Sequence, residues 1–149
     1  MTQSLADVVL HIVFSTKGRK QWLQPEIETE LFSYITATCK NLNCPLIQIN
    51  GTTDHIHALL VLNRTTTISK LISEMKSGSS RWIKTKGNFY SDFAWQGGYG
   101  AFSVARPSID KAINYIASQK KHHKTVSFQD EFISFLKRAK IKYDEKYLL

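Results

Sequence analysis

Two short apolar runs joined through an Asn-Gly pair constrain this chain most. Pro45–Asn50 (PLIQIN) and His55–Leu62 (HIHALLVL) flank the polar stretch NGTTD. Asn-Gly between β-rich runs predicts a hairpin turn, because both residue types tolerate the backbone angles that tight turns demand. Other elements fall in place around that hairpin. Asp7–Ser15 (DVVLHIVFS) is rich in β-branched and aromatic residues and predicts a first strand. Pro25 opens a helix to about Leu42, with Ile27, Leu31, Ile35, Cys39 and Leu42 at helical spacing. Thr66 and Thr67 offer caps for a second helix whose buried side is Ile68, Leu71, Ile72, Met75, Trp82 and Ile83, with Gly78 weakening its middle. The loop-rich stretch GNFYSDFAWQGGYG precedes a strand, AFSVA. Ser108 precedes a third helix that runs to about His123. A fourth starts at Ser127, where Asp130 completes a capping-box pattern, and carries the apolar stripe Phe128, Phe132, Phe135, Leu136 and Ala139.

The order is β-α-β-β-α-β followed by two helices. It resembles the ferredoxin-like, RRM-like unit, an α+β fold in which an antiparallel sheet carries two helices on one face. With 149 residues, 42% of them hydrophobic, and no repeat or linker, the chain is expected to form one domain over residues 1–149. No apolar run approaches a membrane span and no signal-peptide pattern opens the chain, so a cytoplasmic protein without membrane contact is expected. Cys39 and Cys44 lack partners at metal-site spacing and are read as reduced thiols.

The net charge is +8, from 20 Lys and Arg against 12 Asp and Glu. It clusters at Lys17-Arg19-Lys20, Lys76 to Lys86, Lys120-Lys121 with Lys124, and Lys137-Arg138-Lys140-Lys142. Such a surplus favours polyanions, nucleic acid first, because neutralised phosphates release condensed counterions.

His55 and His57 open the second hairpin strand. Alternation turns both to one face, about 6–7 Å apart at Cα, while Ile56 and Ala58 point the other way. Two such imidazoles can converge on a divalent first-row ion. On this motif alone, two partly buried, hydrogen-bonded histidines at a strand end are the favoured reading. His11, among Leu10, Ile12 and Val13, is read as a sheet histidine. On the third helix, Ile109, Ala112, Ile113 and Ile116 form an apolar stripe. Tyr115, Gln119 and His122 share a flank of it within roughly 60°, being spaced i, i+4 and i+7.

Four segments, HIVFSTKGR (His11–Arg19), DHIHALL (Asp54–Leu60), WQGGYGAFSV (Trp95–Val104) and YIASQKKHH (Tyr115–His123), occur in the order found in one family. The chain resembles the HUH-type transposases with one catalytic tyrosine, small enzymes that move single-stranded insertion sequences, and their REP-associated relatives. That resemblance implies a C-terminal catalytic helix added to the sheet, with Tyr115 as nucleophile. It implies His55 and His57 as the metal pair and Gln119 as third ligand. His122 or His123 is an alternative ligand, and His122 a possible proton acceptor. It further implies Mg2+ or Mn2+ as cofactor, single-stranded DNA with hairpin-bearing ends as partner, a homodimer, and no small-molecule substrate. Thr16, Lys17 and Arg19 become candidate phosphate contacts. Trp82, Phe89, Tyr90, Trp95 and Tyr99, interspersed with Arg81, Lys84 and Lys86, could stack unpaired bases. No catalytic residue is assigned after Thr125.

Such a site would cleave and rejoin single-stranded DNA through a 5′-phosphotyrosine. Two other readings compete: a passive RRM-like sheet that only binds single-stranded nucleic acid, and a metal hydrolase using activated water that would tolerate loss of Tyr115.

Overall fold

The structure, a computed structural model, describes residues 2–148, with Tyr147 lacking a described side chain. Four strands, β1 (Val9–Ser15), β2 (Leu46–Gly51), β3 (His55–Val61) and β4 (Gly100–Val104), form an antiparallel sheet in the order β2-β3-β1-β4. The helices α1 (Pro25–Asn41) and α2 (Ile68–Lys84) connect β1 to β2 and β3 to β4, giving the expected ferredoxin-like arrangement. Three more helices follow: α3 (Ile109–Ala117), α4 (Gln119–His122) and α5 (Phe128–Arg138). Among the described residues, no helix is long and apolar enough to cross a membrane.

The sheet is covered on both sides. Leu10, Ile12 and Phe14 of β1 and Ile56, Ala58 and Leu60 of β3 join the buried sides of α1 and α2 in one cluster. On the opposite face Val9 and Leu59 meet Ile116 of α3, while Val13 meets Phe128, Phe132 and Leu136 of α5. Each such side chain stabilises the fold by about 1.5–3 kcal/mol when fully buried. Burial on both faces explains why β1 and β3 read as nearly continuous apolar runs. Phe132 sits so close over Gly100 that a Cβ there would lie 2.6 Å from its ring, so α5 is seated directly on the start of β4.

Three local features depart from sequence expectation. The strand β2 continues through Gly51, and the turn is made by Thr52 to Asp54. Gly51 is needed for close approach rather than for a positive φ: a Cβ there would meet the His55 carbonyl at 2.3 Å. Gly78 does not interrupt α2. It lets Tyr34 of α1 approach, with the phenol oxygen 3.1 Å from the position a Cβ would take. Finally, the third helix breaks at Ser118 into α3 and α4. Asn50 Nδ2 donates to the carbonyls of Ile116 (2.9 Å) and Ala117 (3.2 Å). Those acceptors are then partnered from β2 instead of from the next helical turn, which ends the helix there.

Candidate functional site

The site lies on the sheet face covered by α3, α4 and α5. His55 and His57 both point to it from β3, fully buried, with ring centroids 5.1 Å apart. Their δ nitrogens are held from behind. His55 Nδ1 donates to Asp54 Oδ1 at 2.7 Å, an oxygen that also accepts from Thr52 Oγ1 at 2.9 Å. His57 Nδ1 shares a 2.7 Å hydrogen bond with His11 Nε2, so the sheet histidine of β1 orients the ring beside it. His123, just past α4, is fixed the same way: its Nδ1 donates to the Val126 carbonyl at 2.7 Å. With the outer nitrogens so engaged, the three Nε2 atoms face inward.

They face a carboxylate delivered by α5. Glu131 is only 3% exposed. Its Oε1 lies 2.9 Å from His57 Nε2, 3.0 Å from His123 Nε2 and 3.6 Å from His55 Nε2. Its Oε2 accepts a hydrogen bond from the Tyr115 hydroxyl and another, 3.0 Å long, from Gln119 Nε2. His122 Nε2 lies 3.3 Å from the same oxygen without the alignment of a hydrogen bond. The Gln119 carbonyl oxygen is 3.3 Å from His55 Nε2. One carboxylate thus separates an imidazole side from a phenol side.

The charges follow from this geometry. Burial works to raise the Glu131 carboxyl, but hydrogen bonds from His123 and His57 outweigh it and hold the group ionised well below the usual carboxylate range. Burial, followed by the bond to Glu131 and its negative charge, pushes the Tyr115 phenol above its ordinary value. Burial lowers His57 to about 4 against the pull of Glu131, and lowers His11, with help from His57, to about 3. Burial opposes a proton on His123 as well, yet the contact with Glu131 raises that ring above the ordinary imidazole range.

The donor atoms of His55, His57, His123 and Glu131 all lie within 4.8 Å of one another, a spacing that could hold a metal ion. A rear-held histidine presenting its other nitrogen is the usual setting of a ligating imidazole. The donor set therefore fits a divalent cation.

The structure brings together His55, His57, Tyr115, Gln119, His122 and His123, all singled out from sequence. It does not bring Thr16, Lys17 and Arg19 into that cluster. The Thr16 hydroxyl is buried and donates to the Lys20 (2.6 Å) and Asp54 (3.2 Å) carbonyls. Lys17 and Arg19 are exposed on a single turn after β1, with Arg19 Nη1 donating to Gln129 of α5 at 2.9 Å. Of the aromatic group, Tyr90 is core, Trp95 donates to Ser79, Trp82 stacks on Tyr34, and only Phe89 and Tyr99 are exposed. Sequence reasoning missed Asp54, His11 as an orienting group, and above all Glu131. The signal for Glu131 was present: it sits i+3 from Phe128 and i−4 from Phe135, an acid on the apolar face of its helix. A cleft of about 670 Å³ opens beside Tyr115, lined by His11, Phe102, Lys111, Phe135 and Arg138 among others.

Comparison with solved structures bears on the fold. A candidate transposase from Deinococcus radiodurans R1 superposes with a TM-score of 0.62 at 20% identity, covering 80% of this chain and 98% of that one. A REP-associated tyrosine transposase bound to a REP hairpin superposes with a TM-score of 0.63 at 14% identity, covering 85% of this chain and 76% of that one. No protein of curated function matches the chain in sequence. The sequence profile of the family described as "Transposase IS200 like" matches residues 4–119, from the approach to β1 through Gln119. The chain belongs to the IS200-like transposase family.

Proposed function

We propose that this transposase cleaves and rejoins single-stranded DNA through a covalent link to Tyr115. The observation that carries the reading is the shared carboxylate: the Tyr115 hydroxyl bonds one oxygen of Glu131 while His57 and His123 approach the other. A nucleophile is thereby held beside a set of metal donors. His55 and His57 would hold a divalent cation, Mg2+ or Mn2+, with the remaining donors drawn from Gln119, His123 and Glu131. Bound there, such an ion withdraws charge from the non-bridging phosphate oxygens.

The residues themselves account for the rest. Tyr115 Oη attacks phosphorus; the bond from phosphorus to the 3′ oxygen breaks, and that oxygen leaves as a 3′-OH carrying a proton. The products are a 5′-phosphotyrosine and a free 3′ end. The linkage retains the energy of the phosphodiester, so an incoming 3′-OH can displace Tyr115 and rejoin strands without ATP. In the resting site the phenol is a poor nucleophile, because burial and Glu131 keep it protonated. Its hydrogen bond must break as the phosphate arrives, and His122, with its ring 5.5 Å from that of Tyr115, is proposed to take the proton.

Lys17 and Arg19, exposed after β1, are proposed phosphate contacts, and Phe89 and Tyr99 proposed stacking surfaces. The solved relative bound to a hairpin supports hairpin-bearing DNA ends as the substrate. The active form is proposed to be a homodimer, with residues 1–149 acting as one catalytic domain.

The test uses single-stranded oligonucleotides copied from the element's own ends. Wild type with Mn2+ should yield a protein–DNA adduct that chelator abolishes, and Tyr115→Phe should yield none. Salt-sensitive binding without cleavage would favour the passive RRM-like module. Cleavage that leaves no adduct and survives Tyr115→Phe would favour the hydrolase.

A further inference from the structure

We infer, resting on the tyrosine reading above, that the cleft beside Tyr115 seats the nucleotide whose 5′ phosphate Tyr115 attacks. The base packs against Phe102 and Phe135, and Lys111 and Arg138 hold the backbone phosphate that follows.

Tyr115 stands between two spaces. Its hydroxyl is turned to Glu131 and the histidines, while the cleft of about 670 Å³ opens beside it. Sites for small ligands span roughly 300–1,000 Å³, so one nucleotide fits this one. The cleft lies between α3 and α5 and follows β4, from Ala101 to Val104. None of His55, His57, Gln119 and His123 lines it.

Three observations match an unpaired nucleotide. Lys111 and Arg138 line the cleft and no acid does. Both are exposed, and among the described residues neither belongs to an ion pair. Arg138 is close enough for its charge to act on the Tyr115 hydroxyl, in the sense opposite to burial and Glu131. Uncompensated cations beside a nucleophile complement a polyanion. The second observation is an aromatic wall. Phe102 and Phe135, both half-buried, stack at 5.2 Å with their planes 25° apart, and Phe135 meets Tyr115 edge-on at 5.7 Å. Such rings in a cationic cleft offer a stacking surface for a base. The third is the sheet edge. Among the described residues β4 pairs with β1 alone, so its outward N–H and C=O groups have no strand partner and can meet the edge of a base.

Stereochemistry selects which nucleotide enters. In an in-line displacement Tyr115 Oη and the departing 3′ oxygen are apical, and the 5′ oxygen is equatorial with the two non-bridging oxygens. An ion held by His55 and His57 draws the non-bridging oxygens to its side. The 5′ oxygen and the nucleoside it carries then turn away from the ion, toward the cleft. That nucleotide is the one left on Tyr115 after cleavage, so the same subsite holds the covalent intermediate until a 3′-OH arrives.

The experiment measures adduct formation by the full-length chain with Mn2+ on end-derived oligonucleotides whose cut position has been mapped. One strand carries an abasic residue immediately 3′ of the cut, and a control carries it several nucleotides further on. In wild type, which needs no variant to fold, the first should react about tenfold more slowly than the intact strand at limiting DNA, and the control at the intact rate. Phe135→Leu should lose most of that abasic penalty, because ring and base act as a pair. Arg138→Ala should slow the reaction and flatten its salt dependence. Equal rates on abasic and intact strands, a penalty undiminished in Phe135→Leu, or wild-type salt dependence in Arg138→Ala would overturn the inference; the adduct formed in each case would leave the tyrosine reading standing. A dimer that Arg138→Ala converts to monomer, with the abasic penalty intact, would assign the cleft to a second copy of the chain and overturn it as well. Wild type that forms no adduct on any strand would overturn both.

Discussion

Acid should destabilise the metal-free protein well before its carboxylates titrate. His11 and His57 are buried and neutral, lowered to about 3 and about 4 from an unperturbed value near 6.5. Below pH 6.5 the unfolded chain takes up protons that the folded chain refuses, so stability falls as pH falls until the folded rings themselves titrate. His123 has the opposite sign. Its value is raised, so its contribution is already complete below pH 6.5 and is lost only as pH rises. It therefore cannot offset the loss. The two lowered rings are coupled through one 2.7 Å hydrogen bond, so the proton of a single ring is taken as the floor. One proton costs at most about 1.4 kcal/mol per pH unit and, because the unfolded ring is only half protonated at pH 6.5, about 2 kcal/mol between pH 6.5 and 4.5. At roughly 1–3 kcal/mol per molar urea, that moves the unfolding midpoint down by about 1–2 M. The assay is urea unfolding in EDTA, read by tryptophan fluorescence at half-unit steps from pH 7.5 to 4.5. A midpoint that stays level or rises between pH 6.5 and 4.5 would refute the claim that these rings are buried uncharged.

Other outcomes follow from the same geometry. Gly100→Ala places a methyl against Phe132 and should cost about 1–3 kcal/mol in a thermal melt; an unchanged melt would mean that α5 is not seated on β4. Ile116→Ala removes a fully buried anchor of the tyrosine helix and should cost about 2–5 kcal/mol by urea unfolding. A loss under 1 kcal/mol would show that α3 is held elsewhere. Asp54→Asn keeps an acceptor oxygen but loses the carboxylate charge behind His55, and metal affinity should drop about 10–100-fold by calorimetry. Equal affinity would remove Asp54 from the account.

Much of this was legible in the chain because two periodicities are rigid. Alternation along a strand is enough to put His55 and His57 on one face, and helical spacing is enough to align Tyr115 with Gln119 and His122. The β-α-β-β-α-β order then limits the sheet to few topologies, and the observed one is among them. What stayed hidden depends on contacts distant in sequence. Nothing near Ser118 announces a break, because the group that captures the helix carbonyls is Asn50, on β2. Gly78 reads as a weak point until Tyr34 is seen lying against it. Glu131 was concealed by its neighbours: Phe128, Phe132 and Phe135 account for the buried side of α5 so fully that the acid among them passes as a surface residue. Only when that face lies over the histidines does the carboxylate acquire its four hydrogen-bonding partners, His57, His123, Tyr115 and Gln119.

The central claim is that the Tyr115 oxygen bonds to phosphorus. It is tested most directly by trapping the protein on an end-derived single-stranded oligonucleotide with Mn2+, trimming the DNA with nuclease, and sequencing the modified peptide by mass spectrometry. The account predicts a nucleotide mass on Tyr115, linked through a 5′ phosphate. That mass on another residue, or cleaved DNA with Tyr115 unmodified at every time point, would contradict it.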